Sequence, residues 1–274
     1  MKDHQTDFLG RYGTHAVVTG AASGIGAAFA ESLASRGMGL VLVDVAEAEL
    51  RDRAEQISSA HGVEVHCMVG DLTSPAFVEE VSALRDSLEV GLLVSNAGIA
   101  LLGEFLELQL EPQLRALDLH CRASLALTHR FGQPMKARGR GGIILLSSNS
   151  ALLHTPLIAN YAATKAYTLA LAESLYEELR HVGVDVMALA PGMTRTAALL
   201  GSDVDVDRAR RLIREPAEVV EEALAHLGKS PSYVSSVTDR LAAFLFARLL
   251  PKKLSLSLAK RSVGYFYPQH EKQK

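Results

Sequence analysis

His15-Ala16-Val17-Val18-Thr19-Gly20-Ala21-Ala22-Ser23-Gly24-Ile25-Gly26 is the stretch that decides the architecture. Its first five residues are a short apolar run, Gly20 ends that run, and Phe29, Leu33 and Ala34 then recur at helical spacing. A strand that turns directly into a helix opens a βαβ unit. In such a turn Gly20 permits the tight bend and Gly24 lets the backbone approach a pyrophosphate, while Gly26 lets the helix lie close on the sheet. The free N–H groups at the helix start, around Ser23 and Ile25, then meet phosphate charge. Glycines also mark bland turns, so this stretch needs its neighbours.

Outward from it the same alternation continues. Short apolar runs at 39–43, 63–69, 91–95, 143–147 and 185–190 predict strands, and patterns at 47–60, 75–88, 112–137 and 161–181 predict helices. Stacked βαβ units force a parallel sheet with right-handed crossovers, and ligands then bind outside the carboxyl ends of the strands. The expectation is an α/β, Rossmann-like doubly wound parallel sheet of about seven strands with helices on both faces. The whole chain, 1–274, reads as a single domain without repeats or a linker.

Asp44 ends the second strand, 18 residues past Gly26. An acid there can accept hydrogen bonds from the adenosine ribose hydroxyls and would repel a 2′-phosphate, so NAD is favoured over NADP. No Arg or Lys stands in the turn or directly after Asp44 to hold that phosphate. The bland alternative is a cap for the following helix. Asp71, at the end of the third strand, either faces the adenine or caps the next helix.

Tyr161 and Lys165 are four apart on one helical pattern and so share a face. A phenol titrates near pH 10 and is a poor base at neutral pH, but a nearby ammonium favours the phenolate and lowers that value. Ser148, at the end of the fifth strand, could hydrogen-bond a substrate oxygen and steady developing charge. Alone, a Tyr and a Lys at this spacing are an ordinary helix surface.

Together, Thr19 to Gly26, Asp44, Asp71-Leu72, Ser95-Asn96-Ala97-Gly98, Ser148, Tyr161 to Lys165 and Pro191-Gly192 with Thr194 and Thr196 resemble the compact short-chain dehydrogenase/reductase family in order and spacing. The resemblance covers roughly the first 200 residues. It implies that Tyr161 is the general acid or base, Lys165 its partner and ribose ligand, and Ser148 the hydroxyl that orients substrate. It also implies that Asn96, Ala97 and Gly98 line the adenosine side, that Pro191 and Gly192 pass beside the nicotinamide, and that Thr194 and Thr196 bind its carboxamide or the pyrophosphate. Two positions depart from the family. Ser95 replaces an Asn, a change expected to be structural. His120 replaces an Asn that supports a proton relay to the Lys; it either relays protons, with its own titration in the pH profile, or is a packed histidine. Either way, His120→Asn is expected to retain or raise activity.

Residues 193–215 fall where the family places its substrate lid, and Ser150, Leu152 and His154 are expected to line the pocket with Ser148 and Tyr161. The C-terminal segment, 229–274, is lipophilic and basic: nine Lys or Arg against two acids make it +7, which leaves −10 on the remainder of a chain of net charge −3. Such tails resemble those of family members that act on hydrophobic ketones, so the expected substrate is a lipophilic secondary alcohol or its ketone, in either direction. The segment could cover the pocket, build a subunit interface, or rest weakly on an anionic membrane.

The net charge gives no reason to invoke nucleic acid. The ten His and two Cys show no metal-ligand spacing. Residues 1–14 are polar and no run reaches the ~20 apolar residues of a membrane span, so a cytoplasmic, reducing compartment is expected. The family also implies a homodimer or homotetramer. A nucleotide-binding regulatory or scaffold protein with weak or no turnover is the alternative, which His120 keeps open.

Overall fold

The computed structural model describes residues 2–267; the end of the basic tail, 268–274, lies outside the described residues. β1 (His15–Thr19), β2 (Gly39–Asp44), β3 (Val65–Val69), β4 (Val90–Ser95), β5 (Gly141–Leu146), β6 (Val184–Ala190) and β7 (Ser232–Val234) form one sheet in the order β3-β2-β1-β4-β5-β6-β7. Every neighbouring pair is parallel. The chain walks outward from β1 to β3 and returns to the other side through β4. The strand order therefore reverses between β1 and β4, where the crevice of such a sheet binds its ligand.

Among the described residues, α1 (Lys2–Tyr12) precedes the sheet, and α2 (Gly24–Ser35), α3 (Glu47–His61) and α4 (Pro75–Ala83) join the first four strands. α5 (Leu110–Leu117) and α6 (Ser124–Arg138) lie before β5; α7 (Asn149–Leu153) and α8 (Ala159–Leu179) lie before β6. α9 (Ala197–Leu200), α10 (Val206–Ala209) and α11 (Pro216–His226) precede β7, and α12 (Val237–Phe244) and α13 (Lys252–Phe266) follow it.

The strands are apolar at successive positions because both faces are covered. Phe29 and Leu33 of α2 and Val219 and Val220 of α11 fill one side. Leu127 and Phe131 of α6 and Leu169 and Ala172 of α8 fill the other.

The structure differs from the sequence reading in two places, and adds a detail to a third. The polar N-terminus forms α1, whose Phe8, Leu9 and Tyr12 lie against the first of these clusters. The helix expected over 112–137 is a longer rod interrupted by a π-helical turn at Asp118–Ala123, a distortion that concentrates at functional sites. Residues 193–215 are tied at their two ends by backbone bonds, Arg195 N to Arg214 O at 2.9 Å and Arg214 N to Met193 O at 3.0 Å. Arg214 holds this closure to α11 through Glu222 at 2.8 Å.

Candidate active site

The crevice begins with backbone that tolerates no side chain. Gly20 has φ +67°, and a Cβ at Gly26 would lie 2.0 Å from the Gly20 carbonyl oxygen. The turn is thus closed on itself, with the N-terminus of α2 open above it. Ser23 is exposed and makes no side-chain cap bond, and the first turn of α2 carries no acid. A positive helix end with free donors fits a pyrophosphate. Opposite it, Thr196 caps α9 by accepting from Leu199 N at 3.2 Å, and its methyl would meet a Cβ at Gly24 at 2.8 Å.

Asn96 braces the floor. Its side-chain amide donates to the carbonyls of Thr19 and Gly20 at 2.9 and 3.2 Å, and the Asn96 and Ala97 amides both donate to the Thr19 hydroxyl. The Ser95 hydroxyl lies 2.9 Å from that of Ser124, a buried pair that gives Ser95 a structural partner. Asp44 accepts from Ala22 N at 3.0 Å and Ala46 N at 3.1 Å, so its carboxylate is fixed at the end of β2 beside the glycine turn. Asp71 accepts from Thr73 N at 2.9 Å, in the turn ahead of α4, and pairs with Arg115 at 2.8 Å. Leu72 is buried in the second core cluster.

The other wall is built at the ends of β5 and β6. Ser148 caps α7, accepting from Ser150 N at 3.2 Å, and its side chain hydrogen-bonds the Tyr161 phenol. Tyr161 sits in the first turn of α8, and one turn on, buried Lys165 has its Nζ 5.7 Å from the Tyr161 ring centre. Lys165 donates to Leu146 O at 2.8 Å. The three groups of the expected triad therefore meet. Burial pushes the Tyr161 phenol above its ordinary pKa, and the Ser148 bond only partly opposes this. That corrects the expectation of a phenol lowered by the ammonium. Burial instead lowers the lysine, to about 8.

His120, on the π-helical turn, is buried, and both of its nitrogens are engaged. Nε2 accepts from Ile99 N at 3.0 Å, which leaves Nδ1 carrying the proton, 2.8 Å from the Thr164 hydroxyl. Thr164 in turn donates to Tyr161 O at 2.8 Å. Burial, with the nearby Lys165 charge, lowers His120 to about 2, so it stays neutral throughout the working range. Both ring nitrogens are thus held by partners within the protein. A Cβ at Gly98 would stand 3.0 Å from His120 Nε2, a tight contact, and 3.6 Å from Lys165 Nζ, so Gly98 lies directly against both groups.

Beside Tyr161 lies an apolar recess lined by Ile99, Leu101, Phe105, Leu108 and Ala159, which the sequence reading did not single out. The signal was the apolar run directly after Gly98. Buried Gln113 also lines it, with an Oε1 that has no hydrogen-bond partner. Of the expected substrate residues, Ser150 is buried, Leu152 lies against the second core cluster, and His154 is exposed with Lys252 Nζ 2.8 Å from its Nδ1. His154 and Leu157 both have positive φ, +52° and +69°. Backbone of this kind is uncommon for residues with side chains and clusters at functional loops.

The C-terminal segment reaches the same place. The Asp239 carboxylate hydrogen-bonds Asn149 and stands 2.2 Å from where a Cβ at Gly192 would be, so Gly192 must be bare. Burial raises the Asp239 pKa against the effect of Asn149, Ser236 and Arg214. Pro191 O accepts from Asn149 N at 3.1 Å, and buried Thr194 donates to Gly192 O at 3.2 Å. At the far end of α13, Phe266 O accepts from Asp205 N at 2.7 Å, and Tyr267 hydrogen-bonds Ser202 close enough to Tyr161 to act on it electrostatically. The inner face of this segment thus packs beside Gly192, Asn149 and His154. Asp239 and Tyr267 were missed because nothing local in the sequence links them to Gly192, Asn149, Ser202 and Tyr161, which lie far earlier in the chain.

The family model described as short chain dehydrogenase matches residues 14–204. The human "Inactive hydroxysteroid dehydrogenase-like protein 1" is 30% identical over 254 residues, covering 91% of this chain and 76% of that protein. The 7beta-hydroxysteroid dehydrogenase of Clostridium sardiniense is 29% identical over 234 residues, 85% of this chain and 90% of that one. A solved short-chain dehydrogenase from Sphingobium yanoikuyae, in complex with NADPH, superposes with a TM-score of 0.78 at 31% identity, covering 86% of this chain and 93% of the other.

Proposed function

The chain belongs to the short-chain dehydrogenase family, and from that premise we propose that it moves a hydride between NAD, in preference to NADP, and the carbon of a lipophilic secondary alcohol or ketone. The observation that carries this reading is the meeting of Ser148, Tyr161 and Lys165 beside an apolar recess. The residues present fit a dinucleotide. The glycine turn and Ser23 would hold its pyrophosphate, with Ile25 and Thr196 flanking, and Asp44 would hold the adenosine ribose. Asp71 and Leu72 would border the adenine, Asn96, Ala97 and Gly98 would line the middle, and Pro191, Gly192 and Thr194 would border the nicotinamide.

When bound, the nicotinamide supplies the hydride donor or acceptor. Tyr161 gives its proton to the substrate oxygen in reduction and takes one from the alcohol in oxidation. Its raised pKa keeps the phenol protonated at neutral pH, the form that reduction needs. Ser148 orients the substrate oxygen, and Lys165 anchors the ribose and brings positive charge near the phenol. The apolar body of the substrate would lie at the mouth of this recess, whose interior is only about 10 Å³, with 193–215 as the lid.

The preference for NAD rests on Asp44 and on the lack of Lys or Arg nearby. A solved relative holds NADPH, so NADP belongs in the same experiment. That experiment titrates both dinucleotides and then supplies a panel of lipophilic alcohols and ketones, with Tyr161→Phe as control. Tighter NADP binding would overturn the reading of Asp44, and unchanged turnover in the variant would remove Tyr161 from its role.

A second reading is nucleotide binding without turnover. The packed, neutral His120 at the relay position favours it, as does a relative named inactive; binding without turnover of any panel member would support it. In either case the reading includes a cytoplasmic homodimer or homotetramer. Exposed Leu110, Leu114 and Leu117 of α5, Leu125 of α6 and Tyr167 of α8 offer the contact face.

A further inference from the structure

The C-terminal helices have two unlike faces. The inner one meets the site through Asp239, Lys252 and Tyr267. The outer one carries Val237, Leu241, Phe244, Leu245 and Leu249, at helical spacing and each between 43 and 65% exposed. Leu254, just beyond Pro251, continues the stripe at 47%. Neither core cluster takes in any of these side chains. A gathering of large exposed apolar residues of this kind marks a surface with a partner.

Charge selects the partner. Exposed Arg248 and Lys253 stand in the chain among these residues, whereas Lys252 turns to His154 and Arg240 to the Tyr233 ring; Asp239, the one acid between 237 and 254, is turned inward against Gly192. A second copy docking here would bring its own Arg248 and Lys253 against these. An anionic bilayer offers hydrocarbon to the leucines and opposite charge to the rim. No helix among the described residues is long and apolar enough to cross a membrane, so the contact would be interfacial.

We propose that α12, the turn after it and the start of α13 lie on an anionic membrane surface, leucines inserted and basic residues among the headgroups. The pocket cover would then be held at the bilayer, where lipophilic molecules concentrate.

The test is sedimentation of the full chain with phosphatidylcholine vesicles, with and without phosphatidylserine. It is run at about 0.1 M and about 1 M salt, between which the screening length shortens from ~10 to ~3 Å. Binding to the anionic vesicles is expected at the lower salt, with loss at the higher. Arg248→Gln with Lys253→Gln should weaken it by about twentyfold, near fivefold for each cation at the surface. Leu241→Ser, Phe244→Ser and Leu249→Ser together should abolish it while nucleotide binding, which reports folding, is kept. Equal binding to both vesicles, or binding to neither, overturns the proposal. So does a wild-type oligomer that the triple serine variant breaks up in the absence of lipid, since the stripe would then belong to a second copy.

Discussion

The nucleotide half of the crevice is made of backbone, and the substrate half is made of side chains brought from far apart. In the first, Gly20, Gly24, Gly26 and Gly98 stand where a Cβ would strike Ala97, Thr196, Gly20 or His120. Spacing alone therefore carries the information, and a single local stretch encodes the whole turn. In the second, Tyr161 shares its surroundings with Ser148, His120 and Tyr267, so that four separate segments contribute. The first half should fail abruptly when a methyl is added. The second should respond in graded steps, each specific to one kinetic constant.

The largest effect belongs to Tyr161→Phe, which removes the transferable proton and leaves the ring. Turnover should fall about 10²- to 10⁴-fold with dinucleotide affinity unchanged by fluorescence titration. An equal loss of affinity would mean that the two halves are not separable. Next is Gly26→Ala, whose methyl would lie 2.0 Å from Gly20 O. It should cost about 1–3 kcal/mol of stability in denaturant unfolding and weaken dinucleotide binding at the same time. Normal affinity in a folded variant would show that the turn is not the phosphate cradle.

Asp239→Asn comes third. It keeps the shape of the contact with Asn149 but removes the charge, a change of about 1 kcal/mol. The substrate KM should rise about fivefold with dinucleotide affinity constant; a shift in dinucleotide affinity alone would move Asp239 into the other half. His120→Asn should leave turnover intact or raise it. Neither protein should show a kinetic step near pH 6.5, since His120 is already held at about 2.

The smallest effect concerns Lys165, lowered by burial from 10.5 to about 8. Between those two pH values the unfolded chain keeps a proton that the folded chain has released, so raising the pH favours the folded state. Melting temperature should climb relative to Lys165→Met across that window. A parallel course for the two proteins would show that Lys165 is not shifted.

The same contrast explains what could be read from the sequence. β1 to β6 were legible to within two or three residues, because each is an apolar run ended by Gly, Ser, Asp or Pro. β7 spans only Ser232–Val234 and owes its pairing to β6, so no local pattern announces it. α1 looked like a polar tail because the apolar side chains it brings to the core, Phe8, Leu9 and Tyr12, are gathered in its last turns. The π-helical turn at His120 was not legible either. It is a shift of hydrogen bonds that brings the imidazole to Ile99 N and Thr164, and that depends on partners elsewhere in the chain. At the site, Ser148, Tyr161 and Lys165 could be named once their spacing joined the family resemblance, whereas the phenol's raised pKa came from burial that neither reports.

A crystal structure of the complex with NAD tests the central claim most directly. The account predicts the nicotinamide ring beside Pro191 and Gly192, the ribose on Lys165 and Asp44 on the adenosine hydroxyls. The Tyr161 oxygen would then point into the space where a substrate carbon can approach the ring to about 3–3.5 Å. A dinucleotide bound with its nicotinamide away from Tyr161, or a crevice that admits none, would contradict it.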